Sequence, residues 1–226
     1  MGKKFLLGGI LFFSAAYSST RNATSKLPGA RVKLTTDSGI IILRLYDKTP
    51  LHRDNFIKLV KQHYYDSLLF HRVIKNFMIQ GGDPESKNAK PGILLGNGGP
   101  SYTIPAEFDS TLFHKKGVLA AAREGDNVNP LKASSSSQFY IVQGKIFTDA
   151  GLDSVEKFRL KGRKIPEAKR EVYKTIGGTP HLDMNYTVFG EVESGLEVVD
   201  KIAAAPGDSN NRPLNDIRMK MRIIKK

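Results

Sequence analysis

The chain of 226 residues has no cysteine. That absence excludes disulfides, a thiolate nucleophile, cysteine-ligated zinc and a lipid-modified N-terminal cysteine, so stability has to come from an apolar core. Long hydrophobic runs are also missing. The longest apolar stretch, Phe5–Tyr17, is 13 residues, short of the roughly 20 that a spanning helix needs. The five histidines (52, 63, 71, 114 and 181) form no H-x-x-x-H pair, and no G-x-S-x-G elbow surrounds the serines. Neither a metal site nor a serine hydrolase is expected. The glycine-rich GNGGP at 96–100 lacks the Lys-Ser/Thr of a phosphate loop and runs into no helical pattern, so it is not a nucleotide site. The tail, IIKK, carries no retention signal.

Hydrophobic residues at 40% and charged residues at 25% are ordinary for a globular chain. The length allows one domain, with room for an insertion. Lys3 and Lys4, the apolar stretch after them and the small residues Ala15–Ser19 read as an export signal over 1–19, cut near Ser18 or Ser19. A retained N-terminal anchor is the alternative. The expected setting is the periplasm or the exterior, with no stable membrane insertion after cleavage. Residues 20–30 read as a linker and 31–226 as the domain. The formal charge of +13 is spread along the chain without an aromatic-interleaved basic motif, so nucleic acid is not an expected partner.

Runs of β-branched and apolar residues flank Asp37–Gly39 and predict a hairpin. The segment from Thr49 to Tyr65 reads as a helix, with Thr49 as its cap and Pro50 at its first position. Phe56, Leu59 and Val60 fall on one face, with Ile57 beside them. Short strands follow near 102–104 and 118–122, and at QFYIV. Residues 145–178 differ. They are charged and helical in pattern, with Pro166 and Gly177 placed to start and stop a second helix. Between 152 and 176 there are eight Lys or Arg against four Asp or Glu. Then come the strand YTVFGEV, an amphipathic helix from about Ser194, and a closing strand. That strand sets Ile217, Met219, Met221 and Ile223 on one face and Arg218, Lys220 and Arg222 on the other. The pattern predicts a mainly β barrel or sandwich with two framework helices.

Residues 70–84 read FHRVIKNFMIQGGDP. An arginine and a glutamine stand among aromatic and sulfur side chains with no acid before Asp83. Alone, the stretch fits a core hairpin turning at Lys75–Asn76 equally well. With TPLHRDNFIKLV, GNGGPSYTIPAEF, HKKGVLAAAR, SSSSQFYIV, HLDMNYTVFGEV and GLEVVDKI in order along the chain, it closely resembles the signature of the cyclophilin-type peptidyl-prolyl cis/trans isomerases. The likeness covers nearly all of 31–225 outside the segment 145–178.

The resemblance implies a closed eight-stranded antiparallel β-barrel capped by two α-helices, here with a helical insertion. It implies an isomerase of X-Pro bonds that assists the folding of exported proteins, needs no cofactor and works as a monomer. Its partners would be proline-containing segments of client proteins. Arg72 would be the catalytic cation, Gln80 its orienter and a donor to the substrate carbonyl, and His71 a flanking group. Phe77, Met78, Tyr140 and Leu182 would line the proline pocket, and Tyr186 its rim. Gly96, Ala122, Arg123 and Gln138 would line the adjoining peptide groove. His181 stands where the best-known members carry tryptophan, which implies weakened cyclosporin binding. Arg123, Tyr140 and Tyr186 also depart from those members, which have asparagine, phenylalanine and histidine there. The rival from another class is a non-catalytic module holding proline peptides in the same groove.

Overall fold

The computed structural model describes residues 1–2 and 29–224. The expected export signal beyond residue 2, and the expected linker up to residue 28, lie outside the described residues. The architecture is mainly β, and its spine is an eight-stranded antiparallel sheet. Its strands are β1 (Arg31–Thr36), β2 (Gly39–Leu45), β3 (Arg72–Ile74), β4 (Met78–Gly81), β6 (Val118–Ala121), β8 (Phe139–Val142), β9 (Val188–Ser194) and β10 (Met219–Ile224). The spatial order is β10-β1-β2-β9-β6-β8-β4-β3. Strands β5 (Thr103–Ile104) and β7 (Ser134–Ser135) make a separate two-stranded ladder. The serine run therefore enters paired structure before it reaches β8.

The two ends of the large sheet approach each other. Just before β3, the Ser67 and Phe70 N–H groups donate to the carbonyls of Met219 and Ile217. The Met219 N–H donates back to Leu68 (2.9 Å), and Leu69 bridges Arg218. The sheet is thus curled, with its ends joined by these bonds rather than by a strand ladder.

Alternation places the core inside the curl. Val32 and Leu34 of β1 and Ile41, Leu43 and Leu45 of β2 are buried, as are Met219 and Met221 of β10. Arg218 and Lys220 stay outside, as the closing pattern predicts. Helix α1 (Pro50–Lys61) lays Phe56, Ile57, Leu59 and Val60 on this core, and α4 (Leu196–Ala203) adds Val198, Val199 and Ile202. Phe56 is surrounded by Tyr65, Phe139 and Phe189 at ring separations of 5.1–5.6 Å. Burying each such side chain contributes about 1.5–3 kcal/mol.

One local expectation fails. Thr49 occupies the N-cap position of α1, but its hydroxyl makes no capping bond. Glu107 reaches in from a distant loop instead, and its two oxygens accept from the Leu51 and His52 N–H groups (3.0 and 2.9 Å). A carboxylate satisfies these orphan donors more strongly than a hydroxyl and also complements the helix dipole.

Strands β6 and β8 are buried along their whole length, because both of their faces are covered. Leu119, Ala121, Phe139 and Ile141 point into the main core. Val118, Ala120, Tyr140 and Val142 point the other way, into a second cluster with Met78, Leu182 and Val188. That second face is where the conspicuous residues of 70–84 emerge.

The segment 145–178 carries α2 (Asp149–Phe158) and α3 (Glu167–Thr175). Thr148 Oγ1 caps α2 by accepting from the Gly151 N–H (3.1 Å). Pro166 precedes α3, and Gly177 follows it in a left-handed conformation (φ 87°). The pair has a small core of its own, built on Leu152, Leu160, Ile165 and Tyr173.

Candidate active site

Register builds the site. Arg72 is paired with Gln80 across β3–β4, Gln80 with Tyr140 across β4–β8, and Tyr140 with Ala120 across β8–β6. These residues form one cross-strand row on the outer face of the curl. Met78 opposite Val142 lies in the next row on the same face. The β3–β4 hairpin turns through Asn76, which is left-handed (φ 64°). The turn brings Phe77 back over the row, with the Arg72 guanidinium 6.0 Å from the centre of its ring.

A cavity of about 220 Å³ opens between them. Its lining is Arg72, Phe77, Met78, Gln80, Ala122, Arg123, Tyr140, Leu182 and Tyr186. A drug-sized ligand needs roughly 300–1,000 Å³, so this pocket suits a single ring-sized side chain. A larger cavity of about 390 Å³ adjoins it through Gln80, Ala122 and Arg123, and there the lining includes Gly96 and Gln138.

Arg72 is the unusual charge. Every other buried or half-buried arginine among the described residues is paired with a carboxylate: Arg31, Arg44, Arg53, Arg123, Arg170, Arg212 and Arg222. Arg72 has no such partner. Its Nη1 donates to the neutral Gln80 Oε1 (3.1 Å), and burial pulls its pKa down. It still carries its proton at any ordinary pH. Gln80 is held in turn, since its Nε2 donates to Gln138 Oε1 (3.1 Å). Gln138 Nε2 then donates to the carbonyls of Gly96 and Gly98 (both 2.8 Å). The relay fixes the guanidinium while leaving most of its five N–H donors unused.

The glycine-rich loop is glycine-rich for this purpose. Asp83 is fully buried and accepts from the Gly96 N–H (2.5 Å) and the Glu85 N–H (2.8 Å). A Cβ on Gly98 would collide with Asp83 Oδ1, and Gly96 adopts φ 114°, which other residues rarely adopt. The loop therefore closes over a buried carboxylate rather than cradling a phosphate.

Tyr140 reaches the pocket floor, and its hydroxyl is satisfied from below. His114 Nε2 lies 2.9 Å from it, and His114 Nδ1 lies 3.0 Å from Asp183 Oδ1. With the ring proton on Nδ1 facing the carboxylate, Nε2 is free to accept from the tyrosine. Asp183 also accepts from the His114 N–H and from the Tyr173 hydroxyl of α3 (both 2.8 Å). A continuous polar chain thus joins the helical insertion to the pocket floor.

Three expected residues take less direct positions. Arg123 spends its side chain on its own surroundings: it donates to the carbonyls of Asn185 and Glu124, pairs with Asp126, and stacks on Tyr186 at 4.5 Å. What it offers to the groove is backbone and a flat guanidinium face. His71 is buried behind the wall, with Nε2 close to Gly96, and lines neither cavity. His181 stacks on the outer side of Phe77 at 5.7 Å and lines a third cavity beyond it.

Both of these histidines are neutral at ordinary pH. Burial is the main cause in each case, and it takes both pKa values down to about 4. The unfolded chain, at about 6.5, binds more protons between these limits. Stability supplied by the neutral rings is present above pH 6.5 and is lost as pH falls from 6.5 towards 4. Urea denaturation at pH 7, 5.5 and 4.5 should show the loss, on the order of a few kcal/mol for the pair. His71→Gln should flatten part of the slope.

Asp83, His114 and Asp183 are the supporting residues that sequence reasoning leaves out. Their signal is weak because each is a polar residue in an ordinary loop, and the bonds that tie it to the site reach far along the chain, 13 positions for Asp83 with Gly96 and 69 for His114 with Asp183. No group of three or more His, Cys, Asp or Glu side chains arranged for a metal ion occurs among the described residues.

The chain is similar to known proteins over most of its length. Residues 31–223 match the family model described as cyclophilin type peptidyl-prolyl cis-trans isomerase/CLD. Proteins named for peptidyl-prolyl cis-trans isomerase activity in Staphylococcus haemolyticus and Staphylococcus aureus are 33% and 34% identical over 191 residues. Each match covers 83% of this chain and 87% of that protein. A Streptococcus pyogenes protein named as a bifunctional phosphatase/peptidyl-prolyl cis-trans isomerase is 34% identical over 207 residues, and the chain spans only 37% of its length. The crystal structure of a Cryptosporidium parvum cyclophilin type isomerase superposes with a TM-score of 0.64 at 23% identity, covering 88% of this chain and 99% of that one.

Proposed function

The chain belongs to the cyclophilin-type peptidyl-prolyl cis-trans isomerases, and from that premise we propose that Arg72 performs the isomerisation by a purely electrostatic route. An X-Pro bond is held by amide resonance, with a barrier of about 18–20 kcal/mol. Nothing has to be broken and no proton has to be kept. A cation beside the prolyl nitrogen draws its lone pair out of conjugation and lowers the barrier to rotation. A preorganised, half-dry site strengthens that pull.

The observation that carries this reading is the unpaired Arg72, aligned by register with Gln80 and Tyr140 at a pocket of single-ring size. The proline ring rests on Phe77, Met78, Tyr140 and Leu182. Gln80 uses its remaining N–H on the substrate carbonyl while its oxygen holds Arg72. The peptide on one side of the proline runs along Ala122 and Gly96 into the adjoining cavity. No cofactor enters any step.

We place the activity among exported proteins, on the strength of the basic, apolar and small-residue order at 1–19. Among the described residues, no helix is long and apolar enough to cross a membrane. The rival reading is a module that holds proline peptides without turning them over.

Two-dimensional exchange NMR on an Ala-Pro peptide separates the two readings. A catalyst, added at one hundredth of the peptide concentration, raises exchange well above the spontaneous rate of tens to hundreds of seconds. A binding module shifts peptide resonances at stoichiometric amounts and leaves exchange slow. The second outcome would remove the role given to Arg72.

A further inference from the structure

Among the described residues, three arginines lack a carboxylate partner, and they line two cavities that share walls. Arg72 is the first. Arg159 and Arg163 are the others, and both line a cavity of about 540 Å³ that shares Arg123, Leu182 and Tyr186 with the proline pocket. The helical insertion supplies one wall of that cavity and the 181–186 segment another.

The surplus charge is directed there by pairing elsewhere. Asp149, Asp153 and Glu156 clasp Arg170 between α2 and α3, while Glu156 also takes Lys164 and Glu171 takes Lys174. None of the acids of the insertion lines the cavity. On the cavity wall, Lys132, Lys161 and Arg123 join the two arginines, and Asp126 is the one carboxylate facing these five cations. Arg123 already holds it at 2.7 Å, and Lys132 stands 3.9 Å from it.

The cationic loop is a built feature. Lys161 and Gly162 are both left-handed (φ 54° and 88°). The Gly162 N–H donates to the Glu156 carbonyl, and Arg163 Nη2 donates to the Asp183 carbonyl (both 2.8 Å). His181 and Arg159 both line this cavity, and Arg159 is the second cause, after burial, that holds the His181 pKa down. His181 in turn stacks on Phe77.

We propose that this cavity is a specificity subsite for acidic side chains of the client, within about three residues of the proline. An extended chain advances roughly 3.3–3.6 Å per residue, so a peptide held by its proline ring enters a cavity with shared walls after two or three residues. The subsite rests on the isomerase reading of the pocket, because the proline anchors the peptide beside it. Client segments that combine proline with nearby aspartate or glutamate are the preferred substrates.

The test compares three peptides with the same Ala-Ala-Pro-Phe centre. One carries two glutamates before it, one carries two after it, and one has glutamines at both ends. Wild-type protein should favour one of the glutamate peptides about five- to tenfold in kcat/KM over the glutamine peptide, and 0.5 M salt should shrink that ratio. The double substitution Arg159→Gln, Lys161→Gln should bring the ratio close to one. Arg159→Glu with Lys161→Glu should turn the preference towards lysine-bearing peptides. A wild-type ratio of one, or a ratio that the double substitution leaves unchanged, overturns the subsite. The two readings fail separately. If the glutamine peptide is not accelerated at all, the isomerase reading is lost, and resonance shifts on titration with the three peptides still read the charge preference.

Discussion

Arg72→Ala should lower kcat/KM for X-Pro exchange by about 10²- to 10³-fold, or ~3–4 kcal/mol of transition-state stabilisation. The magnitude is that of removing one preorganised donor from a water-poor site where charge redistributes. The fold should tolerate the change. Arg72 sits on edge strand β3 and makes no ion pair, and its one side-chain hydrogen bond goes to Gln80. Removing a half-buried cation also relieves its desolvation, so the urea midpoint should move little. Arg72→Lys keeps the charge but loses the planar fork that Gln80 aligns, and should recover only part of the rate. An alanine variant within threefold of wild type, folded and saturable by peptide, would assign the chemistry to the pocket walls instead.

The second large effect is on stability. Asp183→Ala should cost about 3–5 kcal/mol, read as a lower urea midpoint at an unchanged slope. The carboxylate is buried and takes three bonds, from the His114 N–H, the His114 ring and the Tyr173 hydroxyl. Truncation strands all three donors in a site without protein replacements. It also loosens the His114 ring under the Tyr140 hydroxyl, so the pocket floor loses its support. The Arg163 bond to the Asp183 carbonyl is backbone-directed and survives. Asp183→Asn still presents one acceptor oxygen and should lose less than half as much. Equal losses for the two substitutions would mean that packing, rather than the polar chain, is what Asp183 provides.

These two residues differ in how visible they are. Arg72 stands out in the chain because FHRVIKNFMIQ sets a cation among strand formers, with no acid near enough in sequence to pair with it. Its neighbours Phe77, Met78 and Gln80 are read from the same fifteen residues, since a tight hairpin brings them together by local geometry. Asp183 looks like any loop aspartate. Its partners come from α3 and from the segment before β6, and no local pattern connects them.

The helices divide in the same way. Phe56, Leu59 and Val60 are spaced for one face, and that face is buried. Thr49 looks like the cap, yet Glu107 performs that task from 55 residues away. The charged segment 145–178 reads as helical because its pattern and its Pro166 and Gly177 punctuation are local. Which of its charges neutralise one another, and which stand open beside the pocket, depends on how α2 and α3 pack.

By itself the sequence determined the strand periods, the hairpin carrying Arg72, the family and the chemistry open to it. All of these depend on residues within a turn or two of each other, or on linked motifs in order. Tertiary structure alone decided that Arg72, Gln80 and Tyr140 share a cross-strand row, that His114 and Asp183 support its floor, and that Arg159 and Arg163 line the neighbouring cavity without a carboxylate partner. Strand register and long-range burial assign those partners. Neither is set by neighbouring residues, because pairing across a sheet is fixed only when the whole core closes.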